Sequence, residues 1–89
     1  MSTRMELQAA IRRMLVAHWI DVGKINIQVT SSTALLRGQL LRVQDGEPIT
    51  PLVIEELEQK LSRIKGVKHV RWRLENWVLD RGKWRKKGS

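Results

Sequence analysis

Eighty-nine residues with 17 Lys/Arg against nine Asp/Glu, a net charge of +8, are enough for one small basic domain. The chain has no cysteine, which excludes disulfide staples, thiolate catalysis and Cys-ligated metal, and its apolar fraction of 42% is that of a globular protein. No apolar run reaches the length of a membrane span and no apolar signal region follows Met1-Ser2-Thr3-Arg4, so the default expectation is a cytoplasmic protein, or a periplasmic one if the chain is a fragment of a longer exported protein.

Glu6 to Asp21 reads as a first helix, with Leu7, Ile11, Met14, Leu15, His18 and Trp19 at three- and four-residue spacing. Ser2 or Thr3 is placed to cap it, and Gly23 to end it. Lys24 to Thr30 alternates strictly and puts Ile25, Ile27 and Val29 on one strand face. After a turn at Ser31-Ser32-Thr33, a second strand over Ala34 to Val43 turns Ala34, Leu36, Gly38 and Leu40 inward, with Leu35, Arg37 and Gln39 outward. The adjacent Leu40-Leu41 calls for a bulge or a strand end, because period two cannot bury both.

Gln44 to Pro48 is a loop, and Thr50-Pro51 starts a second helix with Thr as N-cap and Pro in the first turn. Ile54, Leu57, Leu61 and Ile64 form its buried stripe, Glu56 and Lys60 are an i,i+4 pair, and Gly66 follows its end. Val67 to Leu74 is the third strand, with Val70, Trp72 and Leu74 on one face and Arg71, Arg73 and Glu75 on the other. A slip of one residue would move Trp72 to the second face. Trp19 and Trp72 are expected in the core, and Asn76 leaves Trp77 ambiguous. These elements predict an α+β fold: a two-layer αββαβ sandwich with two helices on one face of a three-stranded sheet. The domain is expected over residues 1–79, with 80–89 as a basic, Trp-containing, flexible tail.

Three stretches resemble a BON domain, a module of bacterial osmotic-stress proteins, secretins and channel-associated proteins. They are the alternating Ile25-x-Ile27-x-Val29, the Ala34-x-Leu36-x-Gly38-x-Leu40 strand, and the helix–strand junction Ile64-Lys65-Gly66-Val67-Lys68-His69-Val70. The resemblance covers roughly residues 6 to 75. It implies a non-catalytic module that attaches to phospholipid surfaces or to other envelope proteins. The family usually has Gly in the hairpin turn where this chain has Ser31-Ser32-Thr33, and the Trp-rich basic extension is outside its pattern.

Nothing in the sequence assembles a catalytic centre. His18 and His69 lie on different elements, the first beside an apolar stripe and the second facing outward, and no phosphate-binding glycine motif or metal-ligand spacing is present. No enzymatic activity, cofactor, metal or small-molecule substrate is expected.

Charge is the stronger signal. Residues 1–80 hold 12 Lys/Arg and nine Asp/Glu, whereas the last nine residues hold five Lys/Arg and no acid. Arg81, Lys83, Arg85, Lys86 and Lys87 surround Trp84, which suits nucleic-acid phosphates with base stacking, or anionic headgroups with an interfacial indole. The same block also reads as a solvated tail that only aids solubility. Arg71 and Arg73, with Arg37 as a secondary member, extend the candidate anion-binding set onto the open sheet face, where polar residues are also what any half-solvated sheet displays. Trp84 alone among the four tryptophans has no evident packing role at this level.

The expected function is a binding module for an anionic surface, phospholipid or an envelope-associated protein assembly. RNA or DNA binding through the basic tail and open sheet is the alternative. It shares element order with KH-like topologies, although no GxxG loop is present. A second alternative is protein interaction or self-association through the third strand or its extension.

Overall fold

Helix α1 (Arg4–Ala17), strands β1 (Ile25–Thr30) and β2 (Thr33–Gly38), helix α2 (Pro51–Ser62) and strands β3 (His69–Leu74), β4 (Trp77–Asp80) and β5 (Lys83–Lys86) follow one another along the chain. They are seen in a computed structural model that describes residues 4–43 and 47–87. The expected Ser2/Thr3 cap and the loop residues Gln44-Asp45-Gly46 lie outside the described residues.

The first sheet has the order β1-β2-β3, with β1 antiparallel to β2 and β2 parallel to β3. An antiparallel pair needs only a short turn, here Ser31-Ser32, whereas the parallel pair needs a crossover, which α2 supplies. Ile25 and Val29 of β1, Ala34 and Leu36 of β2 and Leu74 of β3 are buried on one face with Leu7, Ile11 and Leu15 of α1 and Ile54, Leu57 and Leu61 of α2. Both helices therefore cover the same sheet face, as the alternation predicts, and the other face is exposed. Thr50 caps α2 by accepting a hydrogen bond from the Val53 amide at 3.3 Å.

Strand β2 ends five residues before the alternation suggests. Gly38 sits at φ +118°, and a Cβ there would lie 2.5 Å from the Lys24 carbonyl oxygen, so the chain must turn at a glycine. Beyond it Leu40 is fully buried and Leu41 is exposed, which explains the adjacent leucines by a strand end. The Asn76 side chain then does what a neighbouring strand would do for Leu40. Its Oδ1 accepts from the Leu40 amide and its Nδ2 donates to the Leu40 carbonyl, both at 3.0 Å.

Asn76 also redirects the chain after β3. Its own carbonyl accepts from the Lys87 amide at 2.9 Å, which closes the base of a hairpin. Strands β4 and β5 pair antiparallel from Trp77↔Lys86 to Asp80↔Lys83. The central residues Arg81 and Gly82 both have positive φ, the signature of a type I′ turn. Within the stretch expected as a flexible extension from residue 80, Lys83–Lys86 is a strand, and the expected boundary at 79/80 falls inside β4.

Helix α1 ends four residues early, and Trp19 is not in the core. The Ile20 amide bonds to the Leu15 carbonyl and the Trp19 amide to the Val16 carbonyl, a Schellman closure that puts Trp19 at the left-handed C′ position with φ +62°. That position turns its side chain outward, leaving it 66% exposed, while the next residue, Ile20, is buried. Asp21 then caps a 3-10 turn, Val22–Lys24, which delivers the chain into β1. A left-handed conformation costs an L-residue about 1–2 kcal/mol relative to glycine. We expect Trp19→Gly to stabilise the protein by about 1 kcal/mol and to raise Tm by roughly 4–8 °C in thermal unfolding. A fall in Tm would mean that the exposed indole contributes packing.

Candidate anion-binding face and aromatic groove

The register of the three-stranded sheet arranges its exposed face in rows. Asn26, Arg37 and Arg73 form one row, and Gln28, Leu35 and Arg71 the next. Arg37 and Arg73 are direct partners on adjacent strands, about 4.8 Å apart in the hydrogen-bonding direction. Like charges in that relation repel. Among the described residues neither arginine, nor Arg71, makes a side-chain hydrogen bond or an ion pair. Lys24, Arg37, Arg73 and Glu75 line a shallow recess of about 630 Å³ at this end of the sheet, and Glu75 does not close to ion-pair distance on any of these cations.

Arg73 also belongs to a second feature. Between the outer edge of β3 and the hairpin runs a groove of about 480 Å³, lined by Arg71, Arg73 and Lys87 and by Trp72, Leu79 and Trp84. Cross-strand partners share a face, so Trp77, Leu79, Trp84 and Lys86 lie on one side of the hairpin and Val78, Asp80, Lys83 and Arg85 on the other. The first side turns toward the domain. Trp77 is buried, and Trp84 packs edge-on against Trp72 with ring centroids 6.2 Å apart at 85°. The Trp72 indole N–H donates to Glu58 Oε1 on α2 at 3.0 Å, so the indole links the helix to the hairpin.

The groove thus collects Arg71, Arg73, Trp84 and Lys87 from the expected set, and Arg37 adjoins it through Arg73. Arg81 is in the hairpin turn and Lys83 is exposed on the side away from the groove. Arg85 is ion-paired with Asp80 at 2.8 Å, so part of its charge is already answered. Lys86 borders a different recess, beside Trp77 and Glu47. Trp84, expected as the tryptophan without a packing role, packs against the core, and Trp19 is the one that stands exposed. Sequence reasoning missed that Trp72, Val78 and Leu79 flank the same groove. The available signal was Asp80-Arg81-Gly82-Lys83 between two short stretches holding Trp77 and Trp84, an x-Gly hairpin turn.

The two histidines lie apart, one just past the end of α1 and the other on β3. His69 is exposed, and His18 is half-buried where α1 ends, with its Nε2 3.0 Å from the Lys60 Nζ of α2 and its carbonyl accepting from Arg42 at 3.1 Å. Lys60 makes this contact instead of the ion pair with Glu56 that the i,i+4 spacing suggests. Burial holds the His18 pKa below its ordinary value, helped by the charges of Lys60 and Arg42 and opposed by Glu56. No group of three or more His, Cys, Asp or Glu is arranged to hold a metal among the described residues. No helix there is long and apolar enough to cross a membrane. No family model, curated protein or solved structure matches this chain.

Two outcomes are expected. Because the His18 pKa is lowered in the folded protein, the unfolded chain takes up its proton first as pH falls. Stability should be complete above the ordinary histidine pKa of about 6.5 and fall as pH drops through and below it. His18→Asn should flatten that slope in urea titrations at pH 5 and pH 8. For the indole pair, a double-mutant cycle with Trp72→Leu and Trp84→Leu should give a coupling of about 1 kcal/mol. A coupling of zero would show that the rings do not support one another.

Proposed function

We propose that the chain is a non-catalytic binding module of the BON-like αββαβ kind whose uncovered sheet face attaches to an anionic surface, with phospholipid headgroups as the surface that fits best. The observation that carries this reading is the unanswered, in-register pair Arg37↔Arg73, with Arg71 one row away. A folded domain gains nothing from placing two guanidiniums side by side in water. An external anion between them converts the repulsion into two charge-assisted contacts. The exposed face of a three-stranded sheet is broad and shallow, which suits an array of headgroups in a plane. Lys83, Lys87 and Arg81 add cationic charge on the hairpin, and together these groups favour anionic bilayers by long-range attraction.

The chemistry of phosphate recognition is shared with nucleic acid. Sequence-tolerant binding of single strands uses indole faces as stacking platforms. Here Trp72 and Trp84 are set edge-on to each other at 85° and half-buried, so they offer no parallel pair of faces beside the arginines. That favours the lipid reading.

Removal of residues after Leu79 is not a clean test, because it would delete β5 and uncover Trp72 and Trp77. Charge changes on the exposed face are better. Arg37→Gln with Arg73→Gln should lower affinity for vesicles rich in phosphatidylserine by about thirtyfold, at roughly 1 kcal/mol per lost cation. Binding should weaken as salt rises and be absent on neutral phosphatidylcholine vesicles. Tight binding of mixed DNA and RNA oligonucleotides with no vesicle binding would overturn the lipid assignment.

A further inference from the structure

The two edges of the three-stranded sheet are not alike. In β1 the hydrogen-bonding alternation turns the backbone of Ile27 outward, and Gln8 of α1 reaches over to donate to its carbonyl at 3.3 Å. That edge is covered by a helix side chain. In β3 the bonds from the His69 amide to the Ser32 carbonyl and from the Glu75 amide to the Gly38 carbonyl place the odd-numbered residues toward β2. Period-two alternation then turns the amides and carbonyls of Val70 and Trp72 to the outer edge. Strands β4 and β5 pair with each other and not with β3. The groove of about 480 Å³ between β3 and the hairpin is therefore bounded on one side by a strand edge whose outer backbone groups have no backbone partner among the described residues.

We propose that this edge is a docking site for an extended acidic polypeptide segment, which adds to the sheet as a fourth strand beside β3. The site lies next to the proposed lipid-binding face but does not depend on it. An added strand presents its side chains alternately to the two faces of the sheet. On one face it meets Val70 and Trp72, with Trp84 and Leu79 across the groove, and on the other Arg71 and Arg73. The fitting ligand has a period-two pattern, apolar residues alternating with Asp or Glu, so that successive acids reach Arg71 and Arg73. Charged side chains on an edge strand normally repel incoming strands. Here the charged side chains within β3 are the cations Arg71 and Arg73, with Glu75 just past its end, so the edge repels basic strands and attracts acidic ones. The same sign disfavours a second copy of this chain, because β3 pairing with β3 would bring Arg71 and Arg73 of both copies together. Main-chain bonds supply affinity in such additions and the alternate side chains supply selectivity.

The test uses the full chain in the absence of lipid. The probes are an acetylated octapeptide alternating Val and Asp, a block isomer with four Val followed by four Asp, and an alternating Val/Lys peptide. The alternating acidic peptide should bind, quench or shift tryptophan fluorescence, and slow amide exchange at Val70 and Trp72. N-methylation of the peptide on the residues that face β3 should abolish binding, a control that leaves the protein's folding untouched. Arg71→Glu should weaken binding by about tenfold or more. Arg37→Gln, on β2 and one strand in from the groove, should weaken vesicle binding and change peptide binding far less than Arg71→Glu does. Equal binding of the block or lysine peptide would overturn the proposal. So would unchanged exchange at Val70 and Trp72, or a concentration-dependent dimer that protects those amides without peptide. Failure of vesicle binding with retained peptide binding supports the strand site and removes only the lipid reading.

Discussion

The Asn76 carboxamide pairs with both backbone groups of Leu40, and the layout of the molecule depends on that contact. Strand β2 leaves the sheet at Gly38, so the fully buried Leu40 would carry an unsatisfied amide and carbonyl without a substitute partner. A single side chain with one acceptor and one donor, held at the end of β3, answers both. Because Asn76 is fixed there, the chain turns away from the β3 edge and pairs with itself as β4 and β5. The hairpin then covers Trp77 and the core end, and it leaves the β3 edge open to a groove.

The tryptophans divide along the same line. Trp72 and Trp77 come from the last part of the domain, and Trp84 from the second strand of the hairpin. The Trp72–Trp84 contact and the Trp72–Glu58 hydrogen bond tie hairpin, sheet and α2 into one unit. A basic segment that would otherwise be solvated is given a fixed direction by this packing. Strand alternation turns Lys83 and Arg85 away from the groove, whereas Lys87, just past the end of β5, lines it. The surface that results is a cationic sheet face continuous, through Arg73, with an aromatic groove. Trp19 stands apart from this surface, held outward by the helix closure in a conformation that glycine would adopt at lower cost.

Much of the fold is legible in the residues themselves. The alternation in β1 and β2, the Thr50-Pro51 helix start, the α2 stripe and the inward side of β3 all appear where periodicity puts them, because burial on one face requires period 2 or 3.6. Arg37, Arg71 and Arg73 share the open face for the same reason. Less legible were the ends. The 3.6 period continues through Trp19, but hydrogen bonds at the helix terminus decide which residue turns left-handed, and the pattern cannot see them. The strand pattern likewise runs through Gly38 to Leu40, while the close approach of Lys24 stops it.

Composition and periodicity determined that this chain is a small basic α+β domain with one sheet face buried and one exposed, since those follow from which side chains water excludes. They also determined which cations could share a face. Only the tertiary structure decided that the basic end folds back as a hairpin, that Trp84 packs and Trp19 does not, and that the β3 edge borders a groove. The course of the hairpin and the packing of Trp84 rest on contacts between residues distant in sequence, Asn76 with Leu40 and Trp84 with Trp72, while Trp19 is turned outward by the hydrogen bonds that close its own helix. Local pattern carries no information about such pairs. They exist because buried backbone groups need partners and large side chains need cover, and the chain meets both demands wherever its path happens to bring the groups together.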